Sequence, residues 1–254
     1  MPLVEVVRGP ESAEWAIDTV RTFATRLGKV PVVVGDAPGF FVNRALTSYL
    51  NEALLILEEG TPINVIDTAL EGFGMPMGPL RLLDEVGLDV AARVAAQMAP
   101  AFGTAMPTAT AAASLVAAGR LGRKGGKGFY AYPDGERPAP DPAAETLVIG
   151  PGDPLSAAII VDRCVLAMLN AAATALEEGV ISSPAAADLA LVLGIGFAPF
   201  RGGVFRYAEE RGGEAIRDRM AELAQRWGPR FVPAQALGER RFYPRSWPSK
   251  TESL

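Results

Sequence analysis

A stretch of helix-forming sequence occurs twice in this chain, and that repetition limits what it can fold into. Leu50-Asn51-Glu52-Ala53 through Leu57-Glu58-Glu59-Gly60 matches Leu169-Asn170-Ala171-Ala172 through Leu176-Glu177-Glu178-Gly179 at an offset of 119 residues. Asp67 with Gly72-Phe73-Gly74 is answered by Asp188 with Gly194-Ile195-Gly196 at a slightly larger offset. A period this long signals a duplicated domain rather than a solenoid. The ordered match of helix, stop, aspartate and Gly-x-Gly turn is hard to obtain by chance from two alanine-rich helices. Pro138, Pro140 and Pro142 between the copies read as a linker.

The sequence before the first copy has a different period. Leu3-Val4-Glu5-Val6-Val7 reads as a strand, Ser12 as a helix N-cap, and Ile17, Val20, Phe23 and Leu27 as a helical apolar stripe that Gly28 ends. Val30–Val34 is a second strand, so the segment is one βαβ unit of a parallel sheet. One such unit cannot cover both faces of its strands. It reads as the tail of a larger domain, with strands expected to fray or to be covered by a neighbouring chain. Asp36-Ala37-Pro38-Gly39 then turns the chain, and a helix starts at Asn43, which offers a donor and an acceptor at its mouth. An isolated Asn here is more often a cap. Gly60 closes that helix, and Pro62 fits the first turn of the next.

With 254 residues and 49% apolar content the chain can bury two small cores. A formal net charge of −5 argues against nucleic acid and a basic membrane-surface helix. No membrane span is expected, because the alanine-rich stretch from 91 to 118 carries Arg93, Gln97, Pro100 and Pro107. The single cysteine, Cys164, lies in an apolar helix without an adjacent base and reads as core; one cysteine and no visible signal peptide fit a cytoplasmic protein. There is no histidine, which excludes His-based triads and zinc sites within these residues. Gly119 to Tyr130 mixes glycines with Arg120, Arg123, Lys124 and Lys127, but no Ser or Thr follows the Gly-Lys; a surface loop pinned by Phe129 and Tyr130 is preferred over a phosphate site.

Several motifs together resemble the L-3-hydroxyacyl-CoA dehydrogenases, especially the dehydrogenase part of bacterial multifunctional fatty-acid β-oxidation α subunits. Met1 to Gly9 is similar to the segment just after that family's catalytic histidine, and Asp36 to Arg44 to its Pro-Gly-Phe-x-x-Asn-Arg signature. Gly74-Met75-Pro76-Met77-Gly78-Pro79, Gly122 to Tyr132, and Gly196-Phe197-Ala198-Pro199-Phe200-Arg201-Gly202-Gly203 also match. The resemblance implies a mainly α fold: two tandem homologous helical C-terminal domains preceded by a βαβ remnant of a Rossmann domain. The expected divisions are 1–35 for the remnant, 36–133 for the first helical domain, 134–152 for the linker, 153–244 for the second repeat and 245–254 for a tail. The two helical units are expected to pack about a pseudo-two-fold axis, as single-repeat relatives are thought to dimerise.

The family reaction is NAD-dependent oxidation of a 3-hydroxyacyl-CoA to the 3-ketoacyl-CoA in fatty-acid β-oxidation. Glu5 matches the glutamate that orients the catalytic histidine, and Asn43 the active-site asparagine near the substrate's reacting oxygen. No G-x-G-x-x-G is present, so NAD is expected in the parent enzyme and not bound to this chain, which is expected to be inactive alone. Implied partners are a 3-hydroxyacyl-CoA, the Rossmann and hydratase domains upstream, and a thiolase β subunit. The competing reading is a non-catalytic helical assembly or an acyl-CoA-binding module.

Overall fold

A computed structural model describes residues 1–103, 107–238 and 242–243. Strand β1 (Leu3–Arg8), helix α1 (Glu14–Arg26) and strand β2 (Val30–Gly35) form the expected βαβ unit, parallel, with Leu3 opposite Val30 and Arg8 opposite Gly35. Ser12 does not cap α1: its Oγ accepts the Gly9 N–H at 3.0 Å, and Ala13 is the N-cap. Of the expected stripe only Ile17 is buried, while Phe23 is 62% exposed and Val20 and Leu27 are also exposed. Two strands about 5 Å apart are too narrow to cover the stripe.

The strands themselves do not stand bare, which corrects the expectation of fraying. Leu3, Val6, Val32 and Val34 are buried. The outer edge of β2 is met from within the chain, where the Gly35 N–H donates to the Val180 carbonyl at 2.8 Å and Val34 bridges Ile181.

A helical body follows. It comprises α2 (Val42–Glu58), α3 (Ile63–Phe73), α4 (Pro79–Val86), α5 (Leu88–Phe102) and α6 (Ala111–Ala117). After a two-residue hairpin of β3 (Tyr130–Ala131) with β4 (Ala139–Pro140) come α7 (Pro142–Val148), α8 (Ala157–Glu177), α9 (Pro184–Ile195), α10 (Val204–Arg211) and α11 (Gly213–Trp227). Pro62 is the extended N-cap of α3 rather than a residue of its first turn. Part of the supposed linker is ordered on the first helices: the Asp141 side chain caps α7 and pairs with Arg120, and its backbone N–H donates to the Phe129 carbonyl. Residues 244–254, with the expected tail, lie outside the described residues.

Three local devices occur twice. The Asn51 amide bonds the Pro107 carbonyl (2.7 Å) and the Ala109 N–H (2.9 Å), as Asn170 bonds the Val232 carbonyl and the Ala234 N–H (each 2.9 Å). Gly60 and Gly179, both at positive φ, end α2 and α8 with the same paired bonds: Gly60 N–H to Leu57 O and Thr61 N–H to Ile56 O, against Gly179 N–H to Leu176 O and Val180 N–H to Ala175 O. Asp67 caps the start of α4 through the Leu80 and Arg81 N–H groups and accepts the Tyr130 hydroxyl; Asp188 does the same for α10 through Phe205, Arg206 and Tyr243. Glycine is required beside each carboxyl, since a Cβ would fall 2.1 Å from Asp67 Cγ at Gly78 and 2.2 Å from Asp188 Cγ at Gly203.

Burial pushes both aspartates up to about 6, against the hydrogen bonds that favour their charge. The folded protein therefore holds these protons more tightly than the unfolded chain, where Asp titrates near ~3.9. Their stabilisation is fully present below about pH 4 and is lost as pH rises through about 6. Thermal midpoints of wild type and Asp67→Asn/Asp188→Asn, compared from pH 4 to 7, should diverge in slope with the wild type falling more steeply. Parallel curves would exclude this titration.

The core's axis is the antiparallel pair α2 and α8. Arg44 near the start of α2 pairs with Glu178 at the end of α8 (Nη2–Oε1 2.9 Å), and Arg163 near the start of α8 pairs with Glu59 at the end of α2 (Nη2–Oε1 2.8 Å). Arg163 answers Arg44 and Glu178 answers Glu59 at the 119-residue offset, so residue i meets j′ and i′ meets j. The surroundings differ. Arg163 is fully buried and also bonds Glu52, which takes a second guanidinium from Arg230 at 2.6 Å; Trp227 covers Arg163 and donates to Glu59 at 3.0 Å. At the position answering Glu52 the second copy has Ala171. Helix α8 is long and apolar enough to cross a membrane, but two-thirds of its most apolar window is buried inside the protein, the mark of a core helix.

Candidate active-site face at the start of α2

The turn after β2 uses each of its residues. Pro38 and Gly39 occupy the middle of a turn closed by the Phe40 N–H to the Ala37 carbonyl at 2.8 Å, with Gly39 at φ +74° where glycine is favoured. A Cβ on Gly39 would lie 2.6 Å from Met98 Cε and 3.2 Å from the Arg44 nitrogen. Phe40 follows at φ +50°, a left-handed conformation costly for an aromatic residue. The strain redirects the chain so that α2 begins beside β1.

Phe41, the N-cap of α2, supplies no side-chain acceptor. Glu5 of β1 does so from 36 residues away: its Oε1 accepts the N–H groups of Phe41 (3.0 Å) and Val42 (3.1 Å). A carboxylate at a helix N-terminus satisfies donors that the helix leaves free and faces the positive end of its dipole. Burial nevertheless pushes Glu5 above the ordinary glutamate range, with the two backbone bonds opposing.

Asn43 sits in the first turn of the same helix, inside it by one residue, so it is not the cap. It is exposed, and its amide has no hydrogen-bond partner among the described residues. The two positions singled out in the sequence thus meet at one helix end: a half-buried carboxylate fixed by backbone N–H groups, and a free amide at the surface. One turn further, Thr47 donates to Met98 Sδ at 3.2 Å and borders a largely apolar cavity of about 290 Å³ between α2, α5 and α6.

Other candidates resolve as structure. The glycine-rich loop wraps Asp84, which accepts the Phe129 and Tyr130 N–H groups and the Tyr132 hydroxyl, and a Cβ on Gly128 would sit 1.9 Å from its Oδ1. Arg123 pairs with Glu85 at 2.7 Å and Lys124 with Asp89 at 2.5 Å, so these cations are engaged within the fold. Cys164 is fully buried, and burial pushes its thiol up. No cluster of His, Cys, Asp and Glu suited to a metal occurs among the described residues. The link from β1 to α1 carries no G-x-G-x-x-G, and Glu14 stands in the first turn of α1.

One correspondence escaped the sequence reading although the offset carries it. Val42-Asn43-Arg44 aligns with Val161-Asp162-Arg163 at the same 119 residues, so Asp162 holds the place of Asn43 in the second copy. It is not free as Asn43 is, being clasped by Arg211 and by Arg219 (Nε–Oδ2 2.7 Å).

A parallel βαβ lead is thus followed by a helical body, with a polar helix start at the junction. The family model described as 3-hydroxyacyl-CoA dehydrogenase, C-terminal domain, matches residues 39–132, and that described as 3-hydroxyacyl-CoA dehydrogenase, NAD binding domain, matches residues 1–37. The chain belongs to the 3-hydroxyacyl-CoA dehydrogenase family. It is 42% identical over 248 residues to the fatty acid oxidation complex subunit alpha of Vibrio vulnificus, covering 96% of this chain and 35% of that protein. It thus spans about a third of the length of the curated relatives it matches. In fold it is similar to 3-hydroxybutyryl-CoA dehydrogenase from Escherichia coli K12 (TM-score 0.81, 24% identity, 94% of this chain and 67% of that one). The dehydrogenase part of multifunctional enzyme 1 from C. elegans is similar too (TM-score 0.71, 25% identity, 95% and 56%).

Proposed function

We propose that this chain forms the substrate-cleft and interface portion of an NAD-dependent 3-hydroxyacyl-CoA dehydrogenase that oxidises 3-hydroxyacyl-CoA to 3-ketoacyl-CoA in fatty-acid β-oxidation. The observation that carries the reading is the Glu5 carboxylate seated on the start of α2, whose first turn presents Asn43. Glu5 orients an imidazole contributed by polypeptide outside these residues and balances its positive charge. The backbone bonds to Phe41 and Val42 use one oxygen, Oε1, and leave Oε2 for that role. Asn43 donates its amide to the substrate's reacting oxygen, where a fixed dipole stabilises developing negative charge. NAD belongs to the parent enzyme's nucleotide domain. A hydratase domain upstream and a thiolase subunit complete the proposed assembly, in keeping with the much longer relatives.

The helical body is read as two tandem domains, 36–133 and 153–244, with 1–35 the end of a Rossmann domain. The reciprocal Arg44–Glu178 and Arg163–Glu59 pairs and the doubled Asn and Asp devices support this division. Here the second copy supplies within one chain the contact that a homodimer builds from two.

Expressed alone, the chain should give no saturable NAD binding in calorimetry and no NADH from 3-hydroxybutyryl-CoA. Joined in frame behind the nucleotide-binding domain of the Vibrio vulnificus relative it should gain turnover, and Asn43→Ala should then lower kcat by about 10²–10³-fold. Micromolar NAD binding by the isolated chain, or full activity in the Asn43→Ala fusion, would overturn the assignment.

A further inference from the structure

The two-fold reading of α2 and α8 makes β1 the odd element, because nothing in the second copy answers it. On its own side β1 fills a notch: a Cβ on Gly194 would lie 2.9 Å from Leu3 Cδ2 and 3.2 Å from Val42 Cγ1. The residues answering that notch are Gly72 on α3 and Val161 on α8, at offsets of 122 and 119. Both line an open groove of about 760 Å³ between α3, the start of α8 and α10, and a Cβ on Gly72 would meet nothing within 4 Å. The end of β2, by contrast, has a stand-in. Leu155 bonds Thr61 (3.1 Å) and the Gly150–Gly152 segment packs on Glu58 to Gly60, as Gly35 packs on Val180.

The groove is not a plain copy of the β1 seat. The Ile160 N–H, which answers Phe41, is already bonded to the Ser156 carbonyl, so a carboxylate cannot cap the helix there as Glu5 does. The groove instead carries guanidinium charge. Arg211 and Arg219 share the single carboxylate of Asp162, although Arg219 also reaches Glu222. Arg201 bonds only the Phe73 carbonyl (2.9 Å), lies 4.1 Å over the Phe73 ring, and has no carboxylate partner among the described residues. An apolar notch beside an uncompensated arginine selects an anion with an apolar neighbour.

We propose that this groove docks an extended polypeptide segment that seats a leucine-sized side chain between Gly72 and Val161 and sets a side-chain carboxylate on Arg201. The chain already holds such a segment on the symmetry-related side, where Leu3 and Glu5 stand two residues apart on β1. Charge complementarity and that internal template together choose a peptide over a small neutral ligand. The proposal rests on the two-fold reading.

The test is fluorescence anisotropy of a labelled peptide copying residues 1–8, titrated with the 254-residue chain. Saturable binding tighter than about 1 mM is expected. Gly72→Leu, which fills open space on an exposed helix position, should weaken it at least tenfold, as should Arg201→Gln in the protein or Glu5→Gln in the peptide. No saturation overturns the proposal. Binding untouched by Gly72→Leu also overturns it, since the peptide would then be exchanging with β1 at its own seat. Self-association of the chain in sedimentation that Gly72→Leu abolishes overturns it in favour of a second copy. Each of these failures is separable from failure of the two-fold reading, which is measured by coupling energies in the α2–α8 ion pairs without any peptide.

Discussion

Glu5→Gln, in an enzyme completed by a nucleotide-binding domain, should lower kcat by about 10²–10⁴-fold while moving the unfolding free energy by less than about 1 kcal/mol. The two effects separate because the cap that Glu5 forms and the orienting role proposed for it have different requirements. As a cap it needs only an oxygen acceptor for the Phe41 and Val42 N–H groups, and the glutamine carbonyl supplies one. As the orienting group for an imidazole it needs negative charge, which the amide lacks. Glu5→Ala should lose both, adding about 0.5–2 kcal/mol of destabilisation for the missing cap. The pH profile provides a further readout: without the carboxylate the histidine's protonated form is less favoured, so the acid limb of kcat/KM should shift to lower pH. Equal activity of Glu5→Gln and wild type would leave Glu5 as a cap alone.

Arg163→Met should be the most damaging single change to stability, at about 3–5 kcal/mol. Glu52 is 1% exposed and would keep Arg230 but lose a bond at 2.6 Å, while Glu59 would lose both guanidinium contacts. A charge left partly unpaired in the core costs more than the pair contributes. Arg44→Met should cost less, because its partner Glu178 is half-exposed and water can serve the released carboxylate. Chemical denaturation of both variants, with double-mutant cycles, also tests the two-fold reading. Coupling should appear for Arg44 with Glu178 and for Arg163 with Glu59, and vanish for Arg44 with Glu59. Equal losses for the two arginines would show that burial does not set the cost.

The repeated helix-and-stop pattern, the βαβ lead and the helix stops at Gly28, Gly60 and Gly179 were legible in the sequence, because period, offset and glycine position are local properties of the chain. So were the core placement of Cys164 and Phe129. The resemblance to a family motif singled out Glu5 and Asn43, but spacing along the chain gave no reason for them to meet. Their common place at the start of α2 depends on β1 lying beside a turn 36 residues later, and on the strained backbone at Phe40.

What only the tertiary structure decided are matters of pairing between distant segments. Local pattern put Ser12 at a helix cap, whereas the hydroxyl serves Gly9. It put Val20, Phe23 and Leu27 on a buried face, but hydrophobic spacing says which residues share a face and not whether anything covers it. For the basic loop a pinned surface loop was the preferred reading, but that Asp84 organises it through backbone N–H groups is something no side-chain pattern encodes. Arg44 and Arg163 occupied equivalent places in two similar helices. That each reaches the far end of the other helix, one of them wholly buried, follows from the antiparallel packing of α2 on α8, a relation between segments about 120 residues apart that either helix sequence alone leaves open.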